Sequence, residues 1–395
     1  MERIKVSANA QSDNLPACDS SSGERRLPAC SRRQLADDIF ERAVLLPRKS
    51  FSASCRKEQA GSLCSPEFCA PNYFASSTKP LDAQAMEQKQ STDRYTLADL
   101  ENWAAISRDI DPPIRLGVFG DPVAHSLSPQ MQNAALHACG IKAQYARFHI
   151  RANELRSALL LLRRLDFVGI NLTVPHKIGA FTQVDEADES ATRTGAVNTI
   201  RVRHEKLIGS NTDGEGFLRA IRAEFSIDLR DLRVIIIGAG GGTGRAIAWQ
   251  CALENCERLV LVNRTLEKAS ALAERLRPFF SGPRVLGPSA RIEAVAWDES
   301  AMRTQLADID LIVNATPLGM NPSDPTPIPA RLIAPHHILF DCVYSSSKTA
   351  SVRAAEEAGA RGANGLSMLL HQGALSFSIW FNREAPIEAM RAALL

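Results

Sequence analysis

At 395 residues, with 45% hydrophobic side chains and a formal charge of +2, the chain can fill two or three cores and has no charge excess to draw nucleic acid or a membrane surface. No apolar run reaches the ~18–20 residues a bilayer crossing needs, so neither nucleic acid nor membrane is an expected partner.

Residues 1–94 read as an N-terminal extension rich in Ser, Pro, Ala and Gln, with helical periodicity only at 34–46, and this composition predicts disorder. No apolar core follows Met1-Glu2-Arg3-Ile4-Lys5, so a secretory signal is not expected and a cytoplasmic protein is. A mitochondrial-type presequence interrupted by Glu2, Asp13, Asp19 and Glu24, and an internal start at Met86, both stay open. Five of the nine cysteines (Cys18, Cys30, Cys55, Cys64, Cys69) fall here, without the paired spacing of a zinc site. Cys139, Cys251, Cys256 and Cys342 lie among apolar residues and read as reduced core thiols, so no metal is expected.

From Tyr95 the texture becomes that of a folded α/β domain. Thr96 is placed to cap a helix running through 103, and an apolar strand at 114–119 ends in Gly120-Asp121-Pro122. In His125-Ser126-Leu127-Ser128-Pro129, Ser128 reads as the N-cap and Pro129 as the first turn of a helix over 130–139, stopped by Gly140. Capping leaves Ser126 unexplained, and paired hydroxyls at a strand-to-helix turn suit a polyol or carboxylate ligand.

A strand at 144–150, a helix at 153–164 and a strand at 168–172 lead to Asn171-Leu172-Thr173-Val174-Pro175-His176-Lys177. Pro175 can continue neither a ladder nor a helix interior, so the chain turns there. Asn171 and Thr173 alternate with apolar residues and should point the same way. Lys177, at the strand's mouth among such groups, is an acid/base candidate; taken alone it would be a solvated charge. Two helical pieces follow, with Glu186 and Glu189 in the second. A strand at 197–202 and a short run at 206–208 reach Ser210-Asn211-Thr212-Asp213-Gly214, ahead of an amphipathic helix at 216–225. On spacing alone Asp213 is a helix cap before it is a catalyst. The alternation argues for a mainly parallel sheet that binds ligand at its strand C-termini.

A second domain starts near Asp228. The apolar strand 234–237 enters Gly238-Ala239-Gly240-Gly241-Gly242-Thr243-Gly244, followed by a helix at 246–253 and a strand at 259–262. Strand, glycine turn, helix and strand within ~30 residues is the setting that a dinucleotide fingerprint requires. The spelling departs from it, because Thr243 stands where Gly or Ala is expected and Gly244 comes one place late. Asn263-Arg264-Thr265 closes the second strand; a guanidinium there suits a ribose 2′-phosphate and no carboxylate opposes it, so NADP(H) is the expected cofactor. Further strands at 308–313 and 337–340 end near Thr316 and in Asp341-Cys342-Val343-Tyr344, where the Tyr344 hydroxyl either reaches a site or is solvated. A helix at 349–358 precedes a largely apolar helix that begins in 364–373. Its Gln372 either faces a ligand or is a satisfied interior amide, and His371 reads as a packed histidine.

From Leu116 onward the chain resembles the shikimate dehydrogenase family. Seven motifs in order carry the resemblance. They are Gly120 through Pro129, Asn171 through Lys177, Gly195-Ala196-Val197-Asn198-Thr199, Asn211-Thr212-Asp213-Gly214, Asn263-Arg264-Thr265, Asn314 through Met320, and Gly365 through Gln372. The extension lies outside the match and is too short for a fused dehydratase barrel of ~250 residues. The resemblance implies an α/β fold of two domains with a cleft between them. A substrate domain at 111–225 would be completed by helices at 365–395, and a Rossmann-type NADP-binding domain would span 226–364. By the family's pattern Ser126, Ser128, Thr173, Asn198, Asp213, Tyr344 and Gln372 would hold substrate, and Lys177 would pair with Asp213 as the catalytic couple. The cofactor would rest on Gly238, Ala239, Gly240, Gly241 and Gly242, on Asn263, Arg264 and Thr265, and on the backbone near Thr316 and Cys342. Ser367 stands near the nicotinamide where many members have Gly, and Glu189 would help order the cleft.

The implied activity is reversible NADPH-dependent reduction of 3-dehydroshikimate to shikimate, in aromatic amino acid biosynthesis. The small-molecule substrate would be the partner, with the chain a monomer or homodimer. Two alternatives are an NAD-dependent quinate/shikimate dehydrogenase, against which Asn263-Arg264 argues, and a catalytically silent ligand sensor, against which the retained Lys177 and Asp213 argue.

Overall fold

The computed structural model describes residues 94–281, 291–321, 323–344 and 348–395; the extension, its expected helix at 34–46 and its five cysteines lie outside the described residues. One sheet gathers β1 (Arg94–Thr96), β2 (Ile114–Gly120), β3 (Gln144–His149), β4 (Gly169–Leu172), β5 (Glu186–Ala187), β6 (Thr199–Arg203) and β7 (Lys206–Ser210), in the order β1-β3-β2-β4-β6-β7-β5. Its helices are α1 (Leu97–Glu101), α2 (Trp103–Ile106), α3 (Ser128–Ala138), α4 (Leu155–Leu162), α5 (His176–Phe181) and α6 (Glu189–Thr194), and α7 (Asp213–Phe225) leads out of it.

Thr96 caps α1 as expected: its hydroxyl accepts from Asp99 N while the Asp99 carboxylate accepts from Thr96 N at 2.7 Å. The helix expected through 103 instead breaks at Asn102, and α2 restarts at Trp103, whose ring is buried against Tyr95, Phe148 and Phe167.

The sheet is mainly parallel, as expected, with β6 as its one reversed strand. β6 runs antiparallel to both β4 and β7. The β6–β7 hairpin turns through His204 and Glu205, both left-handed at φ 50° and 60°. Such turns favour Asn-Gly or Asp-Gly, so the sequence carried no hairpin signal. Glu186, expected in a helix, lies in β5, paired with β7 at Ile208. The reversal has a consequence for the site. Because β6 opposes β4, its first residues share an edge with the C-terminal end of β4. β7 reverses again, so its C-terminal end returns to that same edge.

The second sheet holds β8 (Arg233–Ile237), β9 (Arg258–Asn263), β10 (Ile292–Ala296), β11 (Leu311–Asn314), β12 (Ile338–Asp341) and β13 (Arg361–Ala363). Their order is β10-β9-β8-β11-β12-β13, with every pair parallel. Helices α8 (Gly242–Leu253), α9 (Leu266–Leu276), α10 (Glu299–Leu306) and α11 (Ala350–Glu357) accompany it, and α12 (Leu366–Phe381) and α13 (Ile387–Ala392) end the chain. β8 reads Val-Ile-Ile-Ile because both its faces are covered: Val234 and Ile236 enter one core, Ile235 and Ile237 the other. The order reverses between β8 and β11, and the residues after these strands meet, since a Cβ on Gly238 would lie 2.8 Å from Thr316. That is the switch point at which such sheets bind ligands.

α12 ties the two sheets together. Leu369, Leu370, Phe377 and Trp380 join the core under α3, while Met368 joins the core of the second sheet. α12 also packs on α7 so closely that a Cβ on Gly216 would lie 2.7 Å from Gln372 Cβ.

Three buried histidines make the fold sensitive to acid. Burial lowers the pKa of His176, His337 and His371. His337 is locked neutral by its contacts: Nδ1 accepts from Ala334 N at 2.8 Å, so Nε2 carries the proton it gives to Leu306 O. A second proton would break the first bond. His176 Nε2 donates to Ile150 O, leaving its Nδ1 buried without a partner among the described residues, as both ring nitrogens of His371 are. Groups held below their unfolded pKa contribute stability that is whole above ~6.5 and is lost as pH falls from there toward the folded value. The melting temperature is therefore expected to drop as pH is lowered from about 7.5 to 5.5, a window above the ordinary carboxylate range. Calorimetric melts across that interval check this, and a flat or rising profile would contradict it.

Candidate active site

The site begins where β4 ends. Beyond Pro175 the short helix α5 places Lys177 in its first turn, with its backbone held on both sides. His176 anchors to Ile150 O at 2.7 Å, and Lys177 O accepts from Val197 N at 2.8 Å. The Lys177 side chain is 15% exposed, and its ammonium lies 2.6 Å from Asp213 Oδ2 and 3.0 Å from Thr243 Oγ1.

Asp213 is not the helix cap that its spacing suggested. Thr212 occupies that position, and Asp213 is the first residue of α7, its side chain only 4% exposed and turned into the site. Its other oxygen, Oδ1, accepts from Asn198 Nδ2 at 2.8 Å. The orientation of that amide is fixed by a donor that cannot be reversed: Thr212 N gives its hydrogen to Asn198 Oδ1 at 2.9 Å. Oδ1 must then be the oxygen, and Nδ2 must face the carboxylate. Asn198 Nδ2 also reaches Gln372 Oε1 at 3.3 Å, while the Gln372 amide nitrogen donates to Leu369 O.

Behind Asn198 lies a buried polar layer that the sequence reading did not identify. Thr199 Oγ1 donates to Asn198 Oδ1 and lies 2.8 Å from Ser376 Oγ, and both residues have 0% exposure. Asn171 Nδ2 lies within 3.1 Å of Asn198 O, Thr199 Oγ1 and Ser376 Oγ. Asn171 Oδ1 accepts from the Tyr145 hydroxyl at 2.9 Å. Asn171 is therefore spent on this layer. Thr173, beyond the end of β4, is half-buried with its methyl over Gly120.

Ser128 is likewise not the cap of α3; Leu127 is, without a side-chain bond, and Ser128 lies inside the helix. Its hydroxyl is free to meet the Tyr145 phenol, which burial pushes well up. Ser126 Oγ accepts from Ser128 N, and Arg147 clamps Ser126 O with two nitrogens, at 2.7 and 3.0 Å. Tyr344, from the segment after β12, meets Ser126 and the Leu127 backbone, and burial raises its phenol also. Both serines are buried, so these two hydroxyls lie together as expected.

Opposite the ion pair is the glycine turn. α8 starts at Gly242, and the glycine that packs helix on strand is Gly244, where a Cβ would come within 2.3 Å of Gly238 O. The turn therefore reads Gly238-x-Gly240-x-x-x-Gly244, and Thr243 is not a substituted third glycine but a side chain aimed at Lys177. Gly240 N donates to Asn263 Oδ1 at 3.1 Å, and Asn263 Nδ2 donates to Thr265 O. A Cβ on Gly240 would strike Asn263 and Lys268, each 2.9 Å away, so the turn passes between these side chains only as glycine. Arg264, Thr265 and Lys268 are exposed beside this turn. Ala239 is buried and its N–H is taken by Val262 O. Glycines at a helix N-terminus, with exposed cations in place of a carboxylate after β9, are a donor set that suits a dinucleotide.

Thr316 is held by Asn314, whose Oδ1 accepts both its N–H and its hydroxyl. The Cys342 thiol is pushed well up by burial first, and Asp341 and Asp213 push the same way. Ser367 is buried with its hydroxyl unpartnered among the described residues. Glu189 is not brought in: its side chain is 76% exposed and pairs with Arg193 on its own helix. A 660 Å³ depression lined by Arg258, Glu274, Arg277, Glu293 and Asp308 shares no residue with this site, and Arg258–Glu293 and Arg277–Glu274 pair within it.

Known proteins match this chain in the same places. The family model of the shikimate dehydrogenase substrate binding domain matches residues 118–200, that of shikimate/quinate 5-dehydrogenase 220–282, and that of the shikimate 5′-dehydrogenase C-terminal domain 365–395. The shikimate dehydrogenase (NADP(+)) of Methanopyrus kandleri is 41% identical over 282 residues, 71% of this chain and 94% of that protein. A shikimate dehydrogenase solved in complex with NADP+ is 34% identical, with a TM-score of 0.62 over 71% of this chain and 93% of that one. The Thermus thermophilus shikimate 5-dehydrogenase solved with NADP(H) and shikimate is 34% identical, with a TM-score of 0.60 over 71% of this chain and 98% of that one.

The Asn198 amide has a measurable structural role. Asn198→Ala leaves the buried Thr212 N–H and one Asp213 oxygen without their partner, at about 1–3 kcal/mol for each buried group left unsatisfied. Urea denaturation should show a loss of at least about 2 kcal/mol. A loss below about 0.5 kcal/mol, the range of an ordinary surface change, would contradict the network.

Proposed function

The chain belongs to the shikimate dehydrogenase family, and from that premise we propose that it catalyses the reversible NADPH-dependent reduction of 3-dehydroshikimate to shikimate, in aromatic amino acid biosynthesis. The observation that carries the reading is the Lys177–Asp213 pair, 2.6 Å apart and facing the glycine turn. Residues 111–225 with 365–395 act as the substrate lobe and 226–364 as the nucleotide lobe.

When bound, NADPH supplies the hydride that converts the ring ketone to an alcohol. Gly238 to Gly242 hold its pyrophosphate at the N-terminus of α8, and Asn263, Arg264 and Thr265 hold its adenosine end. The backbone near Thr316 and Cys342 and the side chain of Ser367 lie toward the nicotinamide. Arg264 suits a 2′-phosphate, and Asn263 stands where a carboxylate would select NAD. This favours NADP over the NAD-dependent alternative, and the intact Lys177–Asp213 pair favours an enzyme over a silent homologue.

Ser126, Ser128, Thr173, Tyr344 and Gln372 hold the polyol and carboxylate of the substrate. An ammonium has three N–H donors; Asp213 and Thr243 take two, and the third is left for the ketone oxygen. As charge builds on that oxygen, Lys177 stabilises it and gives it a proton. In the reverse direction Lys177 and Asp213 together accept the proton from the substrate hydroxyl. Asn198 holds the carboxylate so that the ammonium points at one place. Among the described residues no helix is long and apolar enough to cross a membrane. A cytoplasmic monomer or homodimer is the setting that goes with this reading.

Lys177→Ala should lower kcat by at least about 100-fold and change KM for 3-dehydroshikimate little, because the bond it loses matters most in the transition state. Absorbance at the NADPH band measures this, and near-normal turnover would defeat the assignment. Arg264→Ala should raise KM for NADPH roughly tenfold, as expected for a lost hydrogen bond to a charged group, and leave KM for NADH unchanged. Equal losses with both cofactors would put Arg264 elsewhere.

A further inference from the structure

We infer that Thr243 is a positioning residue for the Lys177 ammonium, supplied by the glycine turn of the nucleotide lobe, and that it couples dinucleotide occupancy to substrate affinity. The inference rests on the reading of the site above and adds a residue that the glycine fingerprint does not predict. In the spacing Gly238-x-Gly240-x-x-x-Gly244 the close-packing role falls to Gly244. Thr243, in the first turn of α8, is thereby released to face the ion pair.

Two contacts show how tightly the turn meets the lysine. The hydroxyl of Thr243 accepts from Lys177 Nζ at 3.0 Å. A Cβ on Gly242 would lie 2.8 Å from Lys177 Cβ and 3.3 Å from its Cδ, so the lysine stem lies along a bare glycine. An ammonium held by Asp213 alone can swing and spin about that one bond. Held by a second acceptor, its third N–H has a single direction, toward the cleft.

The same hydroxyl can carry information between ligands. A hydroxyl that accepts from Lys177 still has one O–H to give. At a helix N-terminus, the group positioned to take it is a phosphate oxygen of the dinucleotide. Donation to that anion polarises the hydroxyl and strengthens it as an acceptor for the ammonium. Lys177 is then better ordered when the cofactor is present, so the two ligands bind with positive coupling. Linkage makes the effect reciprocal.

The test uses the full chain and three variants: Thr243→Val, which keeps the shape and removes the hydroxyl, Thr243→Ser, which keeps the hydroxyl, and Thr243→Ala, should the valine variant fail to fold. Calorimetry gives Kd for shikimate with and without saturating NADPH, a pair that cannot react, and the ratio of the two is the coupling. A hydrogen bond of ordinary net strength, about 0.5–1.5 kcal/mol, corresponds to a roughly 2- to 10-fold ratio. Thr243→Val, or Thr243→Ala in its place, should bring the ratio to about 1 and lower kcat, with a changed pH profile of kcat. Thr243→Ser should retain both. A wild-type ratio and wild-type kcat in the hydroxyl-free variant would overturn the inference. So would weaker NADPH binding with the ratio intact, which would leave Thr243 in the phosphate cradle alone. A wild-type chain that binds NADPH but not shikimate would instead sink the reading of the site, and this inference with it.

Discussion

A lysine and an aspartate, 36 residues apart in sequence, are held 2.6 Å apart and nearly out of solvent, and much of the molecule is arranged to make that tolerable. Taking two charges out of water costs several kcal/mol per ion even after relaxation, and their attraction repays it only when the remaining lone pairs are also satisfied. Here one carboxylate oxygen is given to the ammonium and the other to an amide whose own oxygen is fixed by a backbone N–H. The pair is thus poor evidence for stability and good evidence for position. Each further bond narrows where the ammonium can point.

The topology makes the arrangement possible. In a wholly parallel sheet, the start of a strand lies at the opposite edge from its neighbours' ends, and Asn198 could not meet Asp213. Reversing β6 moves its N-terminal approach to the C-terminal edge of β4, and reversing again at β7 delivers Asp213 there. Three short reaches, from the end of β4, the start of β6 and the end of β7, then converge. The hairpin depends on two left-handed residues, His204 and Glu205, neither of which offers glycine's freedom.

The legible parts of the sequence were those dictated by one strong local rule. Val234 to Ile237 could only be a strand covered on both faces, and the glycines after it could only be a close turn. Asp213 and Ser128 misled for the opposite reason: a polar residue at a helix start satisfies the capping rule whether or not it caps. Only tertiary contacts distinguish the cases, and in both the neighbouring residue took the cap. Thr243 was hidden by a spacing template one residue shorter than the turn used. Thr199 and Ser376 were invisible because a hydroxyl in an apolar run carries no label saying which buried partner it will meet. Glu189, carried by resemblance alone, has its carboxylate on Arg193 and solvent.

The cleft is bridged by few groups, and they are not of one kind. Tyr344 reaches Ser126, Thr243 reaches Lys177, and α12 spans both cores with Gln372 packed on Gly216. The α12–α7 contact is a close helix approach that any side chain at 216 would wedge open. The other two are hydrogen bonds of polar side chains, Tyr344 to Ser126 and the Leu127 backbone and Lys177 to Thr243, each about 0.5–1.5 kcal/mol net. Bonds of that kind leave hydroxyls and an ammonium that a polar ligand can engage in place of the protein partner. Apolar contacts at those points would have held the lobes as firmly but could not have been handed over to a polar substrate.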